Sequence, residues 1–305
     1  MPARHEADHA VDGNGEVICT QPVTHRPLDR VTWDTIAGDG PGSSRKYRQA
    51  RASLERVLVL LPPSETKVNG GEGPPLRLDA LSHPELDPVR KELVNELVDL
   101  AGDVAASRGA LGLSPKQDAE VARNAAIFDS PTMPALHRYT GVLYDALDAR
   151  SLRGATAERA RARLAVGSAL FGLLRADDPV PAYRLSAGSA LPGRPSLAAR
   201  WKPVLEPVLA GIAAEELVVD LRSGSYAALG RVPGAITVTV LAERPDGSRS
   251  VVSHFNKAHK GSLARLLAGT RAEPTDAAAV AAIARRAGMQ VERAGTHALE
   301  IILPA

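Results

Sequence analysis

The hydrophobic pattern of the chain becomes structured at Val57. Val57-Leu58-Val59-Leu60-Leu61 is a continuous apolar run stopped by Pro62-Pro63, the pattern of a strand buried on both faces. Val89, Leu93, Leu97 and Leu100 then recur at helical spacing and predict a long helix from about Pro88 to Ser107. A second helix is predicted from Ser114 to Phe128, with Ser114 as its cap and Pro115 in its first turn. Tyr139–Leu147 reads as a strand or turn entering a helix. Leu164, Leu170 and Leu173 place Ala157–Leu174 on a helix, and Leu197–Gly211 is helical but interrupted at Pro203 and Pro207. Strands are predicted at Glu216–Leu221, Ala235–Ala242 and Ser250–Phe255, helices at Leu263–Leu267 and Thr275–Ala287, and a terminal strand at Leu299–Leu303.

Residues 1–56 lack these periods. They are polar and rich in Gly and Pro, and predict a poorly ordered extension. Within it, Leu28–Ile36 could pack on the domain and Lys46–Leu54 could form a short basic helix. No internal repeat and no linker follow residue 56. Residues 57–305 therefore read as one compact domain of mixed α/β class, a sheet-containing core wrapped by helices.

Composition narrows the class. Of 305 residues, 44% are hydrophobic and 24% charged, which excludes a wholly disordered, collagen-like or coiled-coil chain. Lys and Arg number 37 against 35 Asp and Glu, a net charge of +2, so any nucleic-acid footprint must be local. No apolar run approaches the roughly 18 residues that span a bilayer, and the amino-terminal segment has no secretory pattern. A lone cysteine, Cys19, leaves no internal disulfide and points to the cytoplasm. Aromatics are only 3%, so Tyr139, Phe171, Tyr183, Tyr226 and Phe255, each near Gly, Arg or Lys, are informative.

Four segments carry candidate chemistry. Ser64, Thr66 and Lys67 follow the first strand and precede a glycine-rich stretch, an arrangement that can offer N–H groups and an ammonium to an anion. It lacks the P-loop spacing. Arg175, Asp177, Asp178, Tyr183 and Arg184 form either an ion-paired loop or an arginine clamp. Ser223, Ser225 and Tyr226 follow the predicted strand at Glu216–Leu221, where open α/β sheets place ligands. Lys257, Lys260 and Arg265 form a basic stretch that is either a solvated face or a phosphate patch. Arg150, Arg153, Arg159, Arg161 and Arg163 face Glu158 alone and could add to a nucleic-acid footprint. There is no zinc pattern, no His-Glu-x-x-His, no nucleophile elbow and no dinucleotide fingerprint, so no metal and no cofactor is expected.

Taken in order, these pieces resemble the YaaA family of bacterial peroxide-stress proteins. The matching residues are Pro62-Pro63-Ser64-Glu65-Thr66-Lys67, Tyr139-Thr140-Gly141-Val142-Leu143, Ser168 to Arg175 and Pro181 to Leu185. Trp201, Asp220 to Tyr226 and His254 to Gly261 complete the series, and the resemblance covers about residues 57–303. The Pro-Ser-Glu-Thr-Lys form looks like the actinobacterial branch. The resemblance implies a compact α/β fold, survival of peroxide stress, and double-stranded DNA binding without sequence specificity. It places that binding on a helix-hairpin-helix element and a basic cleft. The matching element here is Leu97–Phe128 with Gly109–Ser114 as hairpin, where Lys116 and Arg123 add charge and Asp118 and Glu120 oppose it.

Two functions follow. In the leading one, Lys67, Arg184, Lys257, Lys260 and Arg265 line a groove for the DNA backbone, with Tyr139, Tyr183 or Tyr226 stacking or packing beneath. In the alternative, the same Ser, Lys, Arg and Tyr groups form a pocket for a nucleotide or other anionic metabolite, with an enzymatic reaction that no motif names. A long open groove separates the first from the closed pocket of the second.

Overall fold

A computed structural model describes residues 57–252 and 256–304. The expected extension, including Leu28–Ile36 and Lys46–Leu54, lies outside the described residues, as do Ser253–Phe255. The chain opens with β1 (Val57–Leu61) and β2 (Gly73–Pro75), followed by helices α1 (Asp87–Leu100), α2 (Val104–Leu111) and α3 (Asp118–Ala125). Strand β3 (Pro131–Pro134) leads to α4 (Ala135–Arg138), α5 (Val142–Leu147) and α6 (Gly154–Arg163). Next come β4 (Leu164–Ser168), β5 (Gly172–Arg175), β6 (Pro179–Val180), α7 (Leu197–Glu215), β7 (Leu217–Asp220) and α8 (Gly224–Ala227). The chain ends with β8 (Ile236–Glu243), β9 (Arg249–Val251), α9 (Asn256–Gly269), α10 (Ala277–Arg286), β10 (Val291–Gly295) and β11 (Ala298–Pro304).

The main sheet runs β10-β11-β8-β7-β1-β4-β5, with β9 paired to β8. Strands β11, β8, β7, β1 and β4 are parallel, and β10, β5 and β9 join antiparallel. All five residues of β1 are buried, as a central parallel strand covered on both faces requires. From β1 the order moves to β4 on one side, and from β7 to β8 on the other. The carboxyl ends of β1 and β7 therefore meet at a topological switch point, where open α/β sheets bind ligands. A second, antiparallel sheet, β2-β3-β6, lies outside the predicted elements.

Several expected elements change. The helix predicted from Pro88 to Ser107 is two, because Asp103 caps a new start by accepting from Ala106 N at 3.0 Å. Ser114 caps as expected through a capping box with Gln117, but α3 ends at Ala125. The helix expected over Ala157–Leu174 stops at Arg163, and the rest is the hairpin β4–β5. Leu164–Ser168 is buried on both faces, so its apolar run carries no strand alternation to distinguish it from a helix. Pro203 and Pro207 sit within α7 without ending it. Both prolines are exposed, so the carbonyls they leave without a helical donor face water. The predicted strand at Ser250–Phe255 is represented by β9, one residue earlier.

Helices α5 and α9 pack closely because Gly261 has no side chain. A Cβ there would lie 2.2 Å from Leu143 O. Gly261→Ala should lower the unfolding free energy by about 1–3 kcal/mol in a urea titration. Gly211→Ala, on the exposed side of α7 with nothing nearby, should raise it by about 0.5–1 kcal/mol.

Candidate functional site

At the carboxyl end of β1 the chain turns through Pro62-Pro63 and is stitched to α5 and the segment before it. Tyr144 Oη donates to Pro62 O at 2.8 Å. Ser64 Oγ donates to Thr66 O at 2.5 Å and accepts from Thr140 N at 3.0 Å. Lys67 and Tyr139 form an antiparallel bridge, and Val68 N donates to Arg138 O at 2.9 Å. This pairing makes Lys67 and Tyr139 neighbours by backbone geometry.

Lys67 is 8% exposed. Its Nζ donates to Ser64 O at 3.1 Å and Glu65 O at 3.3 Å, and lies 4.2 Å from the Tyr183 ring centroid and 5.4 Å from that of Tyr139. Burial lowers the amine to about 7, helped by the charges of Arg184 and Arg123 and opposed by Glu120 and Glu65. The ring faces act in the opposite sense by attracting the residual ammonium charge.

Beside the amine runs a chain of hydroxyls. Ser168 Oγ lies 2.7 Å from Tyr183 Oη, which lies 2.9 Å from Tyr139 Oη. Ser168 Oγ also accepts from Leu170 N at 3.2 Å and Phe171 N at 3.0 Å. Those two acceptances direct its hydrogen to Tyr183, and that of Tyr183 to Tyr139. Tyr139 stacks on Tyr144 at 5.6 Å between centroids. Burial raises the phenols of Tyr139, Tyr144 and Tyr183, so all three stay protonated at neutral pH. The Ser168 turn is fixed from behind. Trp201 Nε1 donates to Ala169 O at 2.8 Å, and Arg90 donates to Phe171 O at 3.0 Å and Leu173 O at 2.9 Å. Gly172, at φ +73°, leaves room for the Trp201 ring, whose nearest atom would lie 2.7 Å from a Cβ.

Cations border this cluster. Arg184 donates to Glu65 Oε2 at 3.0 Å, with side chains 12% and 70% exposed. Buried Asn124 clamps the Arg184 backbone, donating to its O at 2.9 Å and accepting from its N at 2.7 Å. Arg123 pairs with Glu120 and donates to Asn69 Oδ1 at 2.6 Å. At the end of β7, Asp220 and Arg222 form a two-pronged pair, Nε–Oδ1 at 2.9 Å and Nη2–Oδ2 at 2.8 Å. Arg222 also donates to Gly230 O at 2.9 Å and Tyr226 O at 3.3 Å, which fixes the turn carrying Ser223, Ser225 and Tyr226. Lys260 donates to Leu221 O at 3.2 Å, and burial lowers its amine against the pull of Asp220.

The structure thus brings together Ser64, Lys67, Tyr139, Tyr183, Arg184 and Tyr226, with Lys260 tied to the adjoining loop. Ser223 and Ser225 are exposed and 3.1 Å apart through their hydroxyls, and Lys257 is exposed in α9. Arg265 lies apart, donating to Leu147 O and Asp148 O at 2.8 Å each, at the end of α5. Arg175 lies toward the opposite end of the strands, since it pairs with Ala165 early in β4 while Ser168 ends that strand. Its turn is held by Asp178, which accepts from Arg175 N at 2.9 Å and Ser82 Oγ at 2.7 Å. Sequence reasoning missed Ser168, Tyr144, Asn124, Asp220 and Arg222 as site residues, and named Arg123 only as a charge on the helix-hairpin-helix element. Ser168, Asp220 and Arg222 stood inside motifs that were noticed, whereas Asn124 gave no signal. Among the described residues no group of His, Cys, Asp and Glu could hold a metal ion, and no helix is long and apolar enough to cross a membrane.

Comparison with known proteins bears on identity. The family described as peroxide stress protein YaaA matches residues 57–292. A UPF0246 protein of Corynebacterium efficiens is 52% identical over 77% of this chain and 95% of its own length. A UPF0246 protein of Streptomyces coelicolor is 43% identical over 77% of this chain and 92% of its own. Both sources are actinobacteria, as the form of the first motif led one to expect. A UPF0246 protein of Shewanella woodyi is 28% identical over 69% of this chain and 86% of its own.

The buried amine has a consequence for stability. An unfolded lysine keeps its proton to about 10.5, whereas folded Lys67 releases it near 7. Between these values the unfolded chain binds more protons, so raising the pH stabilises the fold. Urea titrations from pH 7 to 9.5 should show stability rising in the native protein and a flatter profile in Lys67→Met.

Proposed function

The chain belongs to the YaaA family of peroxide stress proteins, and on that premise we propose that it serves the peroxide response by binding a small anionic metabolite at the strand-end site. One observation carries this reading: a desolvated lysine near neutrality, beside a protonated hydroxyl chain and a clamped arginine, at the switch point of the sheet. Perturbed titratable groups converging where such sheets bind ligands mark a functional site. Arg184 and Arg123 supply the charge for an anion, and exposed Glu65 occupies Arg184 in the ligand's place. Such an arrangement suits recognition and chemistry on a small molecule better than contact with a duplex. Of the cations expected to line a DNA groove, Lys67, Arg184, Lys260 and Arg265 are engaged with carbonyls or carboxylates, and Lys257 is exposed.

Non-specific DNA binding is the second reading, favoured by a separate surface. Arg150, Arg153 and Arg161 are exposed and, with His137, line a cleft of about 350 Å³ at the start of α6. Arg159 and Arg163 of the same stretch turn inward, to Gly269 O and Leu267 O. A helix-hairpin-helix role for α2 and α3 would also belong to this reading. There, Asp118 stands in the first turn of α3 and pairs with Arg108, where a phosphate would approach.

A thermal-shift series with inorganic phosphate, nucleotides and small carboxylates tests the first reading. At least one should raise the melting temperature of the native protein and not of Arg184→Ala; no shift from any of them would defeat it. For the second, binding of a fluorescent duplex should weaken with salt. Replacing Arg150, Arg153 and Arg161 with Ala should reduce the slope of log K against log salt by about 2–3.

A further inference from the structure

We propose that the Lys67 amine forms a Schiff base with the carbonyl carbon of a substrate that also carries a carboxylate or phosphate, the anion taking the place of Glu65 on Arg184. This rests on the strand-end reading and adds the reaction and the substrate class. Two backbone carbonyls, Ser64 O and Glu65 O, accept from Nζ. They match the two hydrogens of a neutral amine, which leaves the lone pair on the side away from them. Such an amine is the nucleophile that carbonyl substrates require. Among the described residues no carboxylate forms an ion pair with Nζ. The anion subsite is built, because Asn124 fixes Arg184 through both backbone polar groups. Its present partner, Glu65, is a largely exposed side chain, so an incoming anion can displace it from Arg184 while the backbone carbonyls that hold the amine stay in place.

The hydroxyl chain completes the chemistry. Ser168 is saturated as an acceptor by two N–H groups, so donation runs from Ser168 to Tyr183 to Tyr139 and leaves the Tyr139 hydrogen as the open end. The ring that carries that end lies 5.4 Å from the amine, centroid to Nζ, across the Lys67–Tyr139 bridge. Attack forms the C–N bond as the carbonyl π bond opens, with the oxygen protonated from Tyr139 and one hydrogen of the nitrogen returned to Tyr139, which gives a neutral carbinolamine. Departure of that oxygen as water, with the second hydrogen coming from the nitrogen, gives the imine. One amine and one carbonyl yield one imine and one water, with no oxidant or reductant consumed.

Glyoxylate, an aldehyde bearing a carboxylate, is the probe. Incubation with it and cyanoborohydride at pH 7, followed by peptide mass mapping, should place a carboxymethyl group on Lys67 ahead of exposed Lys91, Lys116, Lys202 and Lys257. Lys67→Arg should abolish that modification. Arg184→Ala should slow it about tenfold more than it slows modification by formaldehyde, which has no anion, the scale of one lost charged hydrogen bond. Labelling that spares Lys67, or that proceeds equally with both aldehydes in both proteins, would overturn the proposal. Glycolate, which has the anion and no carbonyl, separates the two levels. If it shifts the melting temperature through Arg184 while Lys67 stays unlabelled, the binding site stands and the amine chemistry falls. If it does neither, both fall.

Discussion

Guanidinium groups buried inside the protein, each donating to carbonyls of irregular chain, are the interaction on which the arrangement of its loops depends. Arg90, Arg138 and Arg163 are fully buried and Arg222 nearly so. Arg90 holds the turn between β4 and β5. Arg138 gathers Val68 O, Gly70 O, Pro131 O and Val180 O, and so joins the glycine-rich loop to the small sheet. Arg163 holds the exit of α9 through Leu267 O and Thr270 O, and Arg222 holds the turn after β7. A buried unpaired carbonyl costs about 1–3 kcal/mol, and loops have no ladder to satisfy theirs. A planar fork with five donors can serve several at once. In a chain with 3% aromatic residues, this is how strand-end loops are made rigid enough to carry a site.

The same logic explains why Lys67 differs from its neighbours. A guanidinium stays protonated when buried and spreads its charge over several acceptors, whereas an ammonium titrates when desolvated. Lys67 has two carbonyls and two ring faces in place of water, and its amine falls to about 7. The surrounding arginines push it down further, and the two acids that oppose them, Glu120 and Glu65, are committed to Arg123 and Arg184. The site is therefore tuned by how its charges are paired among themselves as much as by depth.

How much of this was legible depended on whether burial left a period in the sequence. The run Val57–Leu61 announced a strand because Pro62-Pro63 bounded it. Leu164–Ser168 is its hydrogen-bonded neighbour and equally buried, but it follows α6 with no turn residue between them, so it read as more helix. Pro203 and Pro207 read as breaks because a sequence does not say which side of a helix faces water. The site was legible as separate segments. That Lys67 would meet Tyr139 depended on an isolated bridge, and that it would meet Tyr183 on the β4–β5 hairpin that had been read as helix. Asn124, facing inward from α3 to clamp Arg184, could not be told from a surface asparagine.

The distribution of the cations separates the two functional readings on physical grounds. A residue that binds the DNA backbone gains by exchanging water and loose counterions for phosphate, so it should begin solvated and without a protein partner. Arg150 and Arg153 are exposed and so meet the first part of that condition, while donating to nearby carbonyls. Lys67 fails it. Taking its ammonium out of water disfavours the charged form on which phosphate binding depends, and near neutrality half of that charge is gone. What burial removes as electrostatic attraction it returns as nucleophilicity, since only the neutral amine has a lone pair to give. Lys67, set against the rings of Tyr183 and Tyr139 and beside a clamped arginine, has the surroundings of a neutral amine, whereas the exposed arginine row keeps its charge in water.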